Sequence, residues 1–161
     1  MGKRIIQRAR GHGGPVYRVR KKAFIYEIRY PSNRMSGEAE IIELIHSRAH
    51  NAPLARMRIH PKENPGQTIM FYVPAFEGAF VGQKISYSQE GKRAHGDIIR
   101  MGVMEIGDRV FNIERHPGDG GKMMRAAGTS AIVSKKAKNN ITIKTPSKKE
   151  IELDNNCLAQ I

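Results

Sequence analysis

The sequence His-Pro-Gly-Asp-Gly-Gly-Lys-Met-Met-Arg-Ala-Ala-Gly-Thr-Ser-Ala occupies residues 116–131, and the rest of the chain is arranged around it. It holds four glycines and two cations, which is too much glycine for an ordinary helix. Glycine lets backbone amides approach a partner closely or adopt positive φ, and neighbouring cations add the charge that phosphate binding needs. We therefore predict a shaped loop that contacts an anion through Gly120, Gly121, Lys122 and Arg125.

This loop does not match the P-loop of nucleotide-binding proteins. That motif requires a glycine, four further residues, and then Gly-Lys followed by a Ser or Thr that binds Mg²⁺. Here Met123 follows Lys122, and His116 stands at the position of the first glycine. The two missing residues argue against an ATPase or a GTPase. A glycine-rich turn between two strands, without any partner, is the simpler alternative.

The composition of the chain favours a polyanionic partner. Its 161 residues include 28 Lys and Arg against 15 Asp and Glu, a net charge of +13. A surface this positive accumulates polyanions, of which nucleic acid is the commonest. No apolar run is long enough to span a bilayer, and the basic N-terminus lacks the apolar core of a secretory signal. We therefore expect a cytoplasmic protein of one domain or two small ones, without a membrane partner.

The cysteine and histidine residues do not indicate a disulfide, a metal site or a catalytic site. Cys157 is the single cysteine, which excludes an internal disulfide and an all-cysteine zinc site, and its apolar neighbours predict a buried strand residue. His46, His50 and His60 raise the alternative of a metal, but their spacings do not match a compact ligand pair. Ser130 and Cys157 lack the sequence context of a catalytic nucleophile. We predict no enzymatic activity, no cofactor and no metal site.

The N-terminal segment, residues 1–34, concentrates the positive charge. It carries ten cations and one acid, Glu27, so ten minus one gives +9 of the total +13. Without apolar periodicity before Ala23 it should be disordered alone and gain order on phosphates, although a solvated tail is an alternative. Its aromatic residues Tyr17, Phe24, Tyr26 and Tyr30 could stack on bases. Phe24, Tyr26 and Ile28 alternate, so they fit a strand face equally well. The cations predicted to contact nucleic-acid phosphates are Lys3, Arg4, Arg8, Arg10, Arg18, Arg20, Lys21 and Lys22.

Short apolar runs broken by turn residues follow from Glu38 onward and indicate strands. The first predicted strands cover residues 39–46, 54–60, 68–73 and 84–88, with connections at 51–53, 61–66 and 74–82. Several strands at this spacing with little helix favour a small barrel, because closing the sheet removes its exposed edges. The OB-fold is the barrel that we predict.

A second series of strands follows a polar link at residues 90–96. It covers residues 98–106, 109–114, 130–134, 141–144 and 150–153, with turns at Gly107-Asp108, Asn139-Asn140 and Pro146-Ser147. Ile141 and Ile143 lie on one side of their strand, while Thr142 and Lys144 lie on the other. A second barrel of SH3-like type fits this pattern, so the predicted fold class is mainly β.

The connection between the first two predicted strands, residues 47–55, flanks the usual ligand face of an OB-like barrel. We predict that Arg48, His50 and Arg56 contact phosphates or bases there. The alternative is a surface loop whose cations face water.

Two motifs carry a family resemblance. Gly-Asp-Arg-Val-Phe-Asn-Ile-Glu at 107–114 and Pro-Gly-Asp-Gly-Gly-Lys-Met-Met-Arg-Ala-Ala-Gly-Thr at 117–129 closely resemble the signature of the universal large-subunit ribosomal protein two family, archaeal/eukaryotic cytosolic type. Four shorter motifs are similar as well: Met-Gly-Lys-Arg-Ile-Ile at 1–6, Ala-Pro-Leu-Ala at 52–55, Glu-Gly-x-Phe-Val-Gly-Gln at 77–83 and Thr-Pro-Ser-x-Lys at 145–149. Together they cover almost the whole chain in the family's order.

The resemblance implies a basic extended N-terminal segment threaded into RNA at 1–34, an OB-fold barrel at 35–90 and an SH3-like barrel at 91–161. It implies a structural constituent of the large ribosomal subunit, a primary rRNA-binding protein in assembly and subunit association, close to the peptidyl transferase centre. The implied partners are large-subunit ribosomal RNA and neighbouring ribosomal proteins, with no small-molecule substrate. The family's RNA-contacting arginine in Gly-Gly-x-x-x-Arg-Ala-x-Gly falls on Arg125.

The chain also departs from the family pattern. His50 stands where the family usually has an arginine, and we hypothesise that Arg48 reaches the same phosphate. The family's prolines near Ile99 and Glu105 are missing, and Leu158 stands where an arginine is usual. Relatives continue beyond the position of Ile161 into a long glycine- and histidine-bearing tail, so the expectation is a member without that tail.

The alternative function is a nonribosomal OB-fold module for single-stranded nucleic acid. Such a module would need a row of exposed aromatic residues on one barrel face. The barrel aromatics Phe71, Tyr72, Phe80 and Tyr87 are few and mostly resemble core residues. An enzyme acting on nucleic acid would need clustered carboxylates for metal, and the aspartates are spread widely.

Overall fold

The computed structural model of the chain describes residues 2, 5–18, 25–31, 35–64, 66–88 and 93–161. Within these ranges it is built mainly of strands, as predicted. The strands are β1 Gly37–Ile45, β2 Leu54–Pro61, β3 Ile69–Pro74, β4 Lys84–Ser88, β5 Ile98–Arg100, β6 Arg109–Val110, β7 Ala131–Lys136, β8 Asn140–Lys144, β9 Glu150–Asp154 and β10 Leu158–Gln160. A short helix, α1, spans Ile6–Gly11, and 3-10 turns lie at Pro15–Tyr17 and Met101–Val103.

The first sheet has six strands in the order β10-β5-β4-β1-β2-β3 and curls into a half-barrel. β1 pairs antiparallel with β2 and β4, and a bulge between Ile41 and Glu43 bends it. Alternate residues of β1 and β2 point into the core, so Ile41 and Met57 are fully buried. The four strands predicted within residues 39–88 are confirmed, since apolar alternation on a half-buried strand sets both the element and its inward face.

The second sheet has four strands in the order β6-β7-β8-β9. Ile141 and Ile143 point into its core and Lys144 points out, as predicted. The turns predicted at Asn139-Asn140 and Pro146-Ser147 join β7 to β8 and β8 to β9. These two sheets are consistent with the predicted OB-fold and SH3-like barrels.

The two sheets are joined by strands that change partners. β5 pairs in parallel with β4, and β10 pairs antiparallel with β5, so both extend the first sheet although they follow residue 93. Phe111, just after β6, exchanges backbone hydrogen bonds of 2.9 and 3.0 Å with Gln160 of β10. The division of the chain at residues 34 and 90 stays a prediction.

Two predicted strands are shorter than expected. The strand predicted over 98–106 ends at Arg100, because Met101–Val103 turns into a 3-10 helix that buries Met101. The strand predicted over 109–114 ends at Val110, because Asn112 adopts a φ of 46° that a strand does not accommodate. Isolated bridges at Phe111 and Ile113 continue the pairing locally. No helix within the described ranges is long and apolar enough to cross a bilayer.

The described part of the N-terminal segment contains structure that the sequence did not predict. α1 and the following 3-10 turn are exposed, and the Arg10 guanidinium lies 5.5 Å from the centre of the Tyr17 ring. Arg18 Nε donates a 2.6 Å hydrogen bond to the Gly13 carbonyl. Further along, Ile28 is buried and bridges in parallel to Tyr72 of β3. The segment therefore joins the first sheet before β1 begins.

Candidate nucleic-acid interface

The glycine loop, residues 116–131, is organised by the carboxylate that precedes it. Glu114 is fully buried, and its two oxygens accept hydrogen bonds from the backbone N–H groups of Gly118 (3.2 Å), Gly120 (2.9 Å) and Leu158 (2.8 Å). A buried carboxylate is stable only when such donors satisfy it. Glu114 therefore fixes the loop to β10 and to the junction of the two sheets.

The predicted positive φ angles are present in this loop. Gly118, Gly120, Gly121 and Gly128 have φ values of 87°, 84°, 87° and 70°. A Cβ atom on Gly121 would lie 2.5 Å from Oδ1 and 2.9 Å from the carbonyl oxygen of Asn112, so a side chain has no space there. Glycine is thus required at position 121 both for its backbone conformation and for close packing.

The expectation that the amides of Gly120 and Gly121 contact an anion is corrected by the structure. Both residues are buried, and the Gly120 N–H donates to Glu114 while the Gly121 N–H donates to Oδ1 of Asp119 at 3.1 Å. The reason is that the chain supplies its own carboxylates to these donors. The two glycines shape the loop, and any contribution they make to RNA binding is through that shape.

The two cations of the loop occupy different environments. Lys122 is exposed, and its backbone N–H donates to the Ile113 carbonyl at 2.8 Å. Arg125 is half-buried, and its Nη1 donates to the Gly121 carbonyl at 3.4 Å. Burial lowers the pKa of the Arg125 guanidinium from its ordinary value, while the nearby Tyr30 hydroxyl raises it. Among the described residues Arg125 makes no ion pair with a carboxylate.

Arg125 borders a cleft of about 380 Å³ between the glycine loop and the end of the first barrel. Arg109 lines the same cleft and adds a second cation, while Phe111 supplies partly exposed aromatic surface. Small residues form the rest of the loop side; they are Ala126, Ala127, Gly128, Thr129 and Ser130. The cleft therefore combines positive charge, aromatic surface and close backbone approach, the features that bind a phosphate and an adjoining base.

His50 belongs to the same region. Its Nδ1 lies 2.8 Å from the hydroxyl oxygen of Ser47, and its backbone N–H donates to the Ser47 carbonyl. Burial lowers the pKa of His50, and the positive charge of Arg125 lowers it further. The connection between β1 and β2 and the glycine loop, 75 residues apart at these two positions, thus lie close enough for His50 and Arg125 to interact.

The remaining cations of the β1–β2 region divide into two groups. Arg48 is exposed in the turn that contains His50, as a phosphate contact requires. Arg56 was expected to contact RNA, but its Nη1 pairs with Glu43 at 3.6 Å on the wall of the barrel. The contact expected for Arg56 stays a prediction; the bulged register of β1 places Glu43 opposite it, so this ion pair competes with a phosphate.

In the N-terminal segment the predicted contacts Arg8, Arg10 and Arg18 are exposed. Tyr30 is 3% exposed and donates its hydroxyl to the Asn112 carbonyl at 2.7 Å, so it is a core residue and cannot stack on a base. The remaining predicted contacts lie outside the described residues; they are Lys3, Arg4, Arg20, Lys21 and Lys22.

Sequence reasoning missed three residues of this region. Arg109 lines the cleft, Glu114 fixes the loop, and the Arg29 side chain packs against Gly120 so closely that a Cβ atom there would collide with it. Arg109 and Glu114 lie in a stretch that the sequence predicts to be a strand. The alternation of apolar residues there predicts which side chains are buried, but it does not indicate a contact with the cleft or the glycine loop. Within the described ranges no group of three or more His, Cys, Asp and Glu side chains is arranged to hold a metal ion.

Comparison with known proteins identifies the family. The family model described as Ribosomal Proteins L2, C-terminal domain, matches residues 94–161. Over the full chain the sequence is 38% identical to large ribosomal subunit protein uL2 of Hyperthermus butylicus, covering 66% of that protein. The uL2 proteins of Desulfurococcus amylolyticus and Sulfolobus acidocaldarius are 35% and 33% identical, with 66% and 65% covered.

The chain thus spans slightly less than two thirds of the length of these relatives. The match covers all of its own residues, and the motifs at 107–114 and 117–129 lie in the stretch that the structure folds into the glycine loop and its support. The chain belongs to the family of large ribosomal subunit protein uL2.

Proposed function

We propose that this chain is a structural constituent of the large ribosomal subunit and binds its ribosomal RNA. The observation that carries the proposal is the cleft in which Arg109 and Arg125 face the same space, in a chain of net charge +13. Family membership supports the ribosomal setting of that cleft. The specific roles are primary RNA binding in assembly, subunit association and support of the peptidyl transferase region.

The mechanism of binding is electrostatic attraction followed by fit to a folded RNA. Exposed cations such as Lys122, Arg48 and those of α1 contact phosphates and release counterions. Arg125 is already partly desolvated and held by the Gly121 carbonyl, so it presents its charge in a fixed position. Contacts of this kind position an RNA and recognise its shape more than its sequence.

Partners and location follow from the same proposal. The chain contacts large-subunit ribosomal RNA and neighbouring ribosomal proteins, within cytoplasmic ribosomes, and it contributes no chemical step of its own. A module for single-stranded nucleic acid is not favoured, because Phe71 and Tyr87 are 6% and 1% exposed and cannot form a stacking face.

The test is equilibrium binding of the purified chain to large-subunit ribosomal RNA across a salt series. Arg125→Ala should weaken binding about tenfold, the loss of one charged hydrogen bond of roughly 1.5 kcal/mol. The slope of log affinity against log salt should shrink by about 0.7 to 0.9. Arg58→Ala is the matched control, because Arg58 is paired with Glu40 at 2.7 Å on the barrel wall. Equal losses for both variants would remove the cleft from the proposal.

A further inference from the structure

The loop between β3 and β4, residues 75–83, exposes two large apolar side chains at its tip. Phe80 is 60% exposed and Val81 is 58% exposed, and they are adjacent in sequence. Phe76 at the start of the same loop is buried and stacks edge-on against His95 with ring centres 5.1 Å apart. The loop is therefore anchored in the core at one end while it presents Phe80 and Val81 to the outside.

Backbone hydrogen bonds hold this apolar tip in a fixed shape. The N–H of Gln83 donates to the Phe80 carbonyl at 3.2 Å, and the Phe80 N–H donates back to Oε1 of Gln83 at 3.3 Å. Gly82 donates to the Ile41 carbonyl at 2.8 Å, and Ile41 donates to the Gln83 carbonyl at 2.9 Å. Because the loop is tied to itself and to β1, a partner that binds it has little backbone left to order.

The charge around the apolar tip differs from that of the rest of the chain. The loop has a single charged residue, Glu77, and β1 has Glu38, Glu40 and Glu43 without any cation. The cations of the adjoining strands are engaged with these acids: Lys84 with Glu38 at 2.8 Å, Arg58 with Glu40 at 2.7 Å and Arg56 with Glu43 at 3.6 Å. Glu77 lines the cleft with Arg109 and Arg125, so this side has the three cations minus the three acids of β1, a charge of zero, against +13 for the chain.

We infer that the apolar tip is a docking point for a neighbouring protein, resting on the proposed place of the chain in the ribosome. An RNA surface brings dense negative charge, and a side whose cations are already paired with acids does not attract it. An aromatic side chain on a rigid tip suits an apolar socket, the arrangement common at the centre of protein interfaces. The balanced charge beside the tip suits a protein socket that carries no large net charge.

The test places a photocrosslinking residue, p-benzoylphenylalanine, at position 80 and assembles the chain into large subunits from purified components. Irradiation should link position 80 to one ribosomal protein, identified by mass spectrometry, with apolar residues at the linked site. The same probe at position 122, which is exposed in the glycine loop, should link to ribosomal RNA.

The outcomes separate the two proposals. Failure of the chain to assemble would overturn the ribosomal function and this inference together. Assembly with an RNA crosslink at position 80, or with none, would overturn the protein contact alone. As a second readout, Phe80→Ser combined with Val81→Ser should keep wild-type affinity for isolated RNA but lose retention on washed subunits by about tenfold or more. Equal retention would also overturn the inference.

Discussion

The backbone N–H of Gly120 donates a 2.9 Å hydrogen bond to Oε1 of Glu114, and both residues are buried. An acidic side chain thus occupies the centre of a loop that is proposed to bind a polyanion. Its charge is shielded from the surface, because Gly118 and Leu158 donate to its other oxygen. The carboxylate determines the shape of the loop, and Lys122 and Arg125 determine its charge.

Glu114→Gln should loosen the glycine loop. The amide has one accepting oxygen where the carboxylate has two, so at least one of the three backbone N–H donors loses its partner, at a cost of about 1–3 kcal/mol before relaxation. The free energy of unfolding should fall by that order, and the amides of Gly118 and Gly120 should exchange hydrogen faster.

Glu152→Gln is the control for this substitution, since Glu152 is exposed and accepts from Asn140 through an oxygen that glutamine retains. It should change stability by less than about 0.5 kcal/mol. Unchanged exchange at Gly120 in the Glu114 variant would contradict the organising role of the carboxylate.

Gly121→Ala should destabilise the protein more than Gly118→Ala. Both glycines have a φ of 87°, so both variants carry the same backbone penalty of roughly 1–2 kcal/mol. A Cβ atom on Gly121 also collides with Asn112, whereas nothing lies within 4 Å of one on Gly118. Chemical denaturation gives the free energy of unfolding of each variant, and the difference between the two variants measures the packing cost at position 121. Equal losses would show that Asn112 moves away without resistance.

The stability of the protein should fall in acid through His50. Its native pKa lies below the ordinary value of about 6.5, because of burial first and the charge of Arg125 second. The unfolded chain therefore binds the proton at higher pH, so the contribution of His50 is present above pH about 6.5 and is lost as pH falls through the native pKa. NMR titration of the imidazole measures that pKa directly.

His50→Gln should flatten the acid side of the stability profile, while His116→Gln, in an exposed position of the glycine loop, should leave it as in the wild type. A titration of His50 above the ordinary value would show that Arg125 and burial do not act on it.

Arg48→Ala should reduce RNA affinity and its salt slope, if Arg48 supplies the charge that the family usually carries at the position of His50. The side chain is exposed, so the substitution should leave the midpoint of thermal unfolding within about 1–2 °C. Binding across a salt series is the measurement. An unchanged slope would show that Arg48 faces water in the complex.

Cys157 should react slowly with thiol reagents in the native protein. Its side chain is fully buried, and burial raises the pKa of the thiol to about 12, so almost no thiolate forms at neutral pH. Labelling should follow global unfolding, with a rate that rises steeply in denaturant. Rapid labelling without denaturant would indicate local opening of β10.

The strands were predictable wherever apolar alternation coincides with pairing along a whole strand, as in β1 and β8. The pattern fails at Asn112, where one residue of positive φ interrupts a stretch that alternates correctly. In the candidate interface, the charges of Lys122 and Arg125 and the glycine conformations were readable from the sequence. The hydrogen-bond partners of the amides were not readable, because the sequence does not show that Glu114 accepts from the Gly120 N–H and Asp119 from the Gly121 N–H.

The position of β10 beside β5 affects how the protein is made. The first sheet gains its last strand, β10, only after residues 158–160 have been synthesised. Until β5 and β10 are made, β4 is an edge strand with unpaired backbone groups. An unpaired edge strand can form hydrogen bonds with strands of other chains and so promotes aggregation. A truncated product that stops at residue 90 is therefore expected to precipitate during expression. Synthesis of the second half of the chain supplies β5 and β10, which cover the edge of the first sheet.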